Sequence, residues 1–310
     1  KDTARLLYGV YIGLTSAQTV ALVTVGMGFF DALCHTFGTL ATGGFSTRNA
    51  SIASFDSIGV ETVIIVFMIL GGTNFALLHV ALRGKPSALL KDSEWRCYMA
   101  ALIVVIAAVA TILVRSGFEP DAGGALRAAA FSVTSILTTT GFGTVDFDAW
   151  PESARWIMLC AIFVGACAGS TSGGVKMIRW MILFKLLRAA VSRAHQPNRV
   201  IHVKIGGRPI PPEIQRDTFV LFVLWVATVV LAAGALMALE GDKIDMISAL
   251  SAVGATLDGV GPGLGLVGPA QNFGFLGGAS KLLLSFVMLL GRLEMFAVIV
   301  LFIPRFWRVE

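Results

Sequence analysis

Thr138-Thr139-Thr140-Gly141-Phe142-Gly143-Thr144 is a glycine-centred turn that follows a weakly apolar run, Ala125 to Leu137, and precedes an acidic segment and then a long hydrophobic one. The same order occurs twice more. Upstream, Phe30 to Leu40 leads into Ala41-Thr42-Gly43-Gly44-Phe45-Ser46-Thr47; downstream, Met246 to Leu257 leads into Asp258-Gly259-Val260-Gly261-Pro262-Gly263. Three copies of hydrophobic span, short helix, glycine turn and second span predict a repeat protein organised around the turn.

The solvent follows from composition. Of 310 residues, 56% are hydrophobic and 14% charged, and the mean hydropathy is +0.81. No soluble domain buries that much apolar surface, so lipid is expected around it. A helix crossing a bilayer needs about 20 apolar residues, and six stretches qualify: 6–28, 58–82, 97–115, 155–188 with an interruption, 217–239 and 279–304. Within each pair lies a run of about a dozen residues, too short to cross, that ends in the glycine turn. Such a run enters the membrane and returns. The predicted fold is therefore an all-α membrane protein of repeated membrane helix–pore helix–membrane helix units around a central cation pore, with units at 1–92, 93–191 and 214–310 and a cytoplasmic linker at 192–213.

Charge sets the sidedness. Arg83, Lys85, Lys91 and Arg96 follow the first pair, Arg188, Arg193, Arg199, Lys204, Arg208 and Arg216 the second, and Arg305 and Arg308 the third. Basic connections belong on the cytoplasmic side, so the formal charge of +5 is no nucleic-acid patch. The acids flank the turns: Asp56 and Glu61, Glu119 and Asp121, Asp146, Asp148 and Glu152, Glu240, Asp242 and Asp245. Outside the membrane they would concentrate cations. In the linker, the alternation Val200 to Ile205 before Gly206-Gly207 predicts a small hairpin, either a partner-docking surface or an ordinary loop.

Irregular backbone at membrane depth is tolerated only where protein buries it or where it lines a watery cavity. Three related turns are thus expected to meet on one axis. Thr and Gly let the backbone take unusual conformations, and inward carbonyls replace the hydration shell of an alkali cation. The short helices aim their partially negative C-terminal ends at the same place. No carboxylate ring is present to favour a divalent ion, so a monovalent cation is the expected guest.

The fourth span is broken. Gly165-Ala166-Cys167-Ala168-Gly169-Ser170-Thr171-Ser172-Gly173-Gly174 places four glycines and three hydroxyl residues inside a hydrophobic run. Discontinuous helices mark transport pathways, although the spacing of Gly165, Gly169 and Gly173 also suits close helix packing. Lys176 just after the glycines and Arg292 in the last span are ionisable groups at membrane depth, which favours a functional role. Lys176 equally well reaches the cytoplasmic interface by snorkelling.

These residues carry a family resemblance. ATGGFST at Ala41 to Thr47, TTTGFGT at Thr138 to Thr144, GACAGSTSGGVKMIR at Gly165 to Arg179, ATLDGVGPGLG at Ala255 to Gly265 and GRLE at Gly291 to Glu294 make the chain similar to the TrkH/KtrB/HKT superfamily of cation transporters, and most to its TrkH branch. The resemblance implies potassium transport across a bacterial inner membrane, not catalysis, with a sodium-permeable relative or a non-conducting fragment as alternatives. It implies a K⁺ filter built from Thr42, Gly43 and Gly44, Thr139, Thr140 and Gly141, and Gly259, Val260 and Gly261. It also implies a gate built from Gly169, Ser170, Thr171, Ser172, Gly173, Gly174, Lys176, Arg292 and Glu294. Relatives form homodimers and associate with a cytoplasmic nucleotide-binding regulatory subunit of TrkA type, which leaves no nucleotide to this chain. The family has four repeats and this chain shows three; Lys1 falls where the second would begin, so the first repeat is expected to be missing. Asp258 stands where relatives often carry Asn.

Other signals are weaker. Cys34, Cys97, Cys160 and Cys167 lack paired spacing and read as apolar filler, and His35, His79, His195 and His202 show no metal-ligand spacing. Gly263 to Gly268 matches GxGxxG without a βαβ unit around it. Asn49-Ala50-Ser51 fits a glycosylation acceptor, and Trp95, Trp150, Trp156 and Trp307 lie near predicted membrane boundaries.

Overall fold

A computed structural model describes residues 2–196, 202–293, 295–302 and 304–307. The first unit comprises α1 (Asp2–Thr24), α2 (Phe29–Leu40), α3 (Ile58–Gly71) and α4 (Phe75–Leu82). After a short α5 (Ser87–Lys91), the second has α6 (Ser93–Arg115), α7 (Ala122–Leu137), α8 (Glu152–Ile162) and α9 (Met177–His195). The third has α10 (Pro212–Glu240), α11 (Met246–Leu257), α12 (Gly278–Arg292) and α13 (Met295–Leu301).

Helix length separates two classes. At 1.5 Å per residue, the 23 residues of α6 reach about 35 Å and cross a hydrocarbon core of about 30 Å, whereas the 12 of α2 and of α11 reach about 18 Å and cannot. Burial sorts them the same way. From Phe131 to Leu137 every residue of α7 is buried, as is every residue of α11 from Ser248 onward except Leu250, including Ser132, Thr134, Ser135, Ser248, Ser251 and Thr256. The long helices instead turn Ile103, Val104, Val230 and Leu231 outward, all at least 60% exposed. Apolar outside and hydroxyl-rich within is the arrangement lipid demands. Among the described residues three helices are long and apolar enough to cross a bilayer, and two bent helix pairs are so when each pair is taken together. The chain is a multi-pass membrane protein.

Acidic and amide caps start several helices: Asp92 for α6, Asp121 for α7, Asn74 for α4 and Asp245 for α11 accept from the first free N–H groups. Acids predicted to concentrate cations are thus partly committed to capping. Others form ion pairs. Glu61 of α3 receives Nε and Nη2 of Arg127 on α7 at 2.7 and 2.8 Å, which ties the first unit to the second. The Glu61 side chain is only 6% exposed. Arg127→Ala strands that carboxylate, and we expect a loss of about 2 kcal/mol, less than for a fully buried pair because Arg127 is partly solvated. Unfolding in detergent should show the Arg127→Ala/Glu61→Ala double variant more stable than Arg127→Ala alone.

Two spans differ from the sequence reading. Residues 58–82 do not form one helix: α3 and α4 meet at 108°, around Gly72, Thr73 and Asn74. The last span, read as continuous over 279–304, also bends, with α12 and α13 at 114°. Asn74 shows why the first break is stable, since its Oδ1 accepts from Ala76 and Leu77 N and starts a new helix. The interruption in 155–188 is present and occupies residues 163–176. The linker hairpin shrinks to Lys204–Ile205 paired with Arg208–Pro209, and residues 197–201 lie outside those described. Trp150 is buried against Phe147 and serves as core, while Trp156 faces outward.

Candidate ion-conduction site

The three glycine turns share one backbone conformation. At the end of α2, the N–H groups of Gly43 and Gly44 both donate to Gly38 O, at 2.8 and 3.2 Å. At the end of α7, Thr140 and Gly141 both donate to Ser135 O, at 2.8 and 3.3 Å. At the end of α11, Val260 and Gly261 both donate to Ala255 O, at 2.8 and 3.4 Å. The φ angles repeat as well: 51° and 66° at Thr42 and Gly44, 55° and 84° at Thr139 and Gly141, 69° and 104° at Gly259 and Gly261. Positive φ costs glycine little, but it strains a β-branched threonine by about 1–3 kcal/mol. Among the described residues, none of the carbonyls of Thr42, Gly43, Thr139, Thr140, Gly259 and Val260 accepts a hydrogen bond.

The turns lean on one another in order. A Cβ on Gly44 would overlap Thr140 O, and a Cβ on Gly141 would overlap Val260 O. Gly261, the third of the set, has nothing within 4 Å of where its Cβ would stand. That side opens into a cavity of about 370 Å³ lined by Thr42, Gly43, Gly173, Val260, Gly261 and Arg292, among others. On the outer side, the segments that follow the turns surround a second cavity of about 790 Å³, between Asn49–Ser51, Gly143–Asp146 and Pro269–Asn272. Near this mouth Asp31 is held below the usual carboxylate range by hydrogen bonds from Thr47 and Arg48.

Directly beneath the turns lies the break between α8 and α9. Thr42 Oγ1 donates to Thr171 O at 3.0 Å, Thr139 Oγ1 accepts from Gly173 N at 2.7 Å, and Thr139 Oγ1 meets Ser172 Oγ at 3.1 Å. The strained threonines of the turns are therefore tied to this loop. Gly173 is irreplaceable in shape, since a Cβ there would overlap Asp258 O. Arg292 reaches the loop, with Nη1 at 3.3 Å from Thr171 O. Lys176 folds back and donates Nζ to Ser172 O. Glu294 lies outside the described residues. The Asp258 carboxyl group is buried beside Gly174, at the end of the loop, and accepts from Trp225 Nε1 at 3.0 Å.

The loop is also gripped by the break in the first unit, a contact absent from the sequence reading. Cys167 N donates to Gly72 O at 3.0 Å, Thr171 Oγ1 to Gly71 O at 3.2 Å, and Phe75 N to Gly169 O at 3.1 Å. Glu94 was missed too. At the head of α6 it reads as an ordinary first-turn acid, yet its Oε1 accepts from Ala168 N at 2.7 Å and Ile178 N at 3.1 Å.

Matching turns at the ends of buried half-length helices, with a loop tied across one side of them, define a membrane protein of the repeated helix–turn–helix kind. The comparisons with known proteins agree. The family model for TrkH, described as a cation transport protein, matches residues 2–309, and the chain belongs to that family. It is 40% identical over 310 residues to the Trk system potassium uptake protein TrkH of Halomonas elongata and 37% identical over 308 residues to that of Salmonella typhimurium. Each match covers 99% of this chain and 63% of the relative, so the chain spans less than two thirds of their length. The crystal structure of the potassium transporter TrkH from Vibrio parahaemolyticus superposes with a TM-score of 0.93 at 35% identity, covering 99% of this chain and 65% of that one.

Proposed function

We propose that this chain forms most of the pore of a potassium transporter, with K⁺ passing over the backbone carbonyls of Thr42–Gly44, Thr139–Gly141 and Gly259–Gly261. The observation that carries this reading is the set of carbonyls that accept no hydrogen bond in three turns of matching hydrogen bonds and φ angles, several of them facing the cavity beside Gly261, an arrangement that is costly at membrane depth unless something else satisfies the oxygens. A dehydrated cation does so. The relatives' names, which specify potassium uptake, supply the ion.

The units 1–92, 93–191 and 214–310 each contribute one wall. A fourth turn of the same kind, contributed by further sequence of the relatives' length or by another chain, closes the open side beside Gly261. The loop Gly169–Gly174, with Lys176, Arg292 and Glu294, serves as the gate under the filter. The protein acts in the bacterial inner membrane as a homodimer, and a cytoplasmic nucleotide-binding subunit of TrkA type docks on its basic inner face, nucleotide binding being the partner's.

The test is ⁸⁶Rb⁺ uptake into proteoliposomes containing this chain. Uptake that unlabelled K⁺ suppresses and equimolar Na⁺ leaves unchanged is the expected result. Equal suppression by both ions would overturn the selectivity assigned here, and no uptake by folded protein would show that three walls do not conduct.

A further inference from the structure

Each glycine turn leads into a segment that a side chain fastens to the short helix before it. The hydrogen bonds that close the turns place Gly38, Ser135 and Ala255 in register. In the second unit Ser135 Oγ donates to Phe142 O at 2.7 Å, just past Gly141. In the third, Ser251, one helical turn before Ala255, donates Oγ to Leu264 O at 3.1 Å and accepts from Leu264 N at 2.9 Å. The first unit has no such serine. Glycine stands at 38, and a Cβ there would come within 3.0 Å of both Phe142 Cζ and Phe45 O.

His35, one turn earlier on α2 and 0% exposed, makes the tie instead. Its Nδ1 lies 2.6 Å from Asp31 O and its Nε2 2.8 Å from Ser46 Oγ. A backbone carbonyl only accepts, so Nδ1 carries the hydrogen; Nε2 of the neutral ring then accepts from the Ser46 hydroxyl. Ser46 Oγ in turn accepts from Arg48 N at 3.1 Å. Burying an imidazole is costly unless its nitrogens are bonded. Here one bond orients the ring on its own helix and the other reaches the segment beyond Gly44. The ring also packs between Phe55, edge-on at 5.2 Å between centroids, and Phe142 of the second unit at 5.7 Å. His35 therefore touches the exit of the first turn by a hydrogen bond and the exit of the second by packing. The remaining ties from α2, Asp31 to Thr47 and Arg48, lie further out at its exposed end.

We propose that His35 is a positioning residue for ion selection: it fixes the exits of the first and second turns relative to each other, so that the carbonyls of Thr42–Gly44 and Thr139–Gly141 favour K⁺ over Na⁺. Whether carbonyl size or carbonyl field does the choosing, the preference is lost when two walls shift independently. The proposal rests on the conduction reading above and adds to it a residue behind the carbonyls that sets their selectivity.

The readout is the ratio of the Na⁺ to the K⁺ concentration that halves ⁸⁶Rb⁺ uptake into proteoliposomes, corrected for folded protein. His35→Ala should lower that ratio by about tenfold, the scale of one buried hydrogen bond, and Ser46→Ala should do the same. Both remove one interaction, so the double variant should be no worse than either alone. His35→Gln, whose side-chain oxygen can accept from Ser46, should hold the ratio within about threefold of wild type, whereas the shorter His35→Asn should not. A merely structural role would lower the yield of folded protein without moving the ratio. An unchanged ratio in His35→Ala, or losses that add in the double variant, would overturn the proposal. Should His35→Ala not fold, Ser46→Ala decides, and a wild-type ratio there is the overturning result. Hydrogen–deuterium exchange over residues 43–49 needs no ion flux and separates the two readings; His35→Ala should speed it by about tenfold. A wild-type chain that takes up no ⁸⁶Rb⁺ sinks the conduction reading and the ion selection with it. Faster exchange in His35→Ala then still supports the tie on the first turn, and unchanged exchange removes that as well.

Discussion

Gly141→Ser is expected to lower ⁸⁶Rb⁺ uptake by about two orders of magnitude while leaving the protein inserted and folded. Two effects act together at this position. A serine at a φ of 84° carries about 1–3 kcal/mol of backbone strain. Its Cβ would also overlap Val260 O, one of the carbonyls proposed to hold the ion. The strain is relieved by pushing Val260 away, which spoils the third wall as well as the second. Gly261→Ser separates the two effects, because its φ of 104° is strained but no atom lies within 4 Å of its Cβ. It should cost less, by about tenfold. Equal losses at 141 and 261 would mean that collision with the neighbouring turn is not what matters; retained uptake in Gly141→Ser would remove the turn from the ion path.

Arg292→Ala is expected to raise basal uptake by about tenfold or more. The guanidinium lines the 370 Å³ cavity below the turns and reaches Thr171 O at the loop tip. Under the function proposed above, a fixed charge there opposes the ion and holds the gate at once. A cation passing within about 7 Å meets roughly 2 kcal/mol of repulsion at an effective dielectric near 20, close to a thirtyfold effect. Arg292→Lys keeps the charge but loses the planar donor pair, so its basal uptake should lie between wild type and Arg292→Ala. If Arg292→Ala transports as wild type does, neither role is tenable.

The register of the three turns was legible because glycine spacing follows backbone geometry: Gly44, Gly141 and Gly261 align by sequence, and each sits second of two N–H groups on one helix-end carbonyl. The broken fourth span was legible for the same reason, through glycines where a straight helix is costly. The bend at Gly72–Asn74 was not. Mean hydropathy over Val60 to Leu82 stays high despite Gly71-Gly72-Thr73-Asn74, and a sum over side chains does not register that Asn74 restarts a helix. Glu94 escaped notice because its partners, Ala168 and Ile178, are 74 and 84 residues away and bind through backbone N–H, which leaves no mark on side-chain identity. Nor does spacing say which turn leans on which, since that depends on how the units pack.

That directional leaning bears on how the protein is made. Gly44 rests against Thr140, and Gly141 against Val260, so each turn is completed by the one synthesised after it. During translation each turn is made before the one it leans on, and the strained threonines at 42 and 139 are tied down only once residues 171–173 follow. A nascent chain halted before residue 260 would have a first turn already backed by Thr140 and a second still without Val260. Arrest late in synthesis is thus registered at the second turn, the one left open.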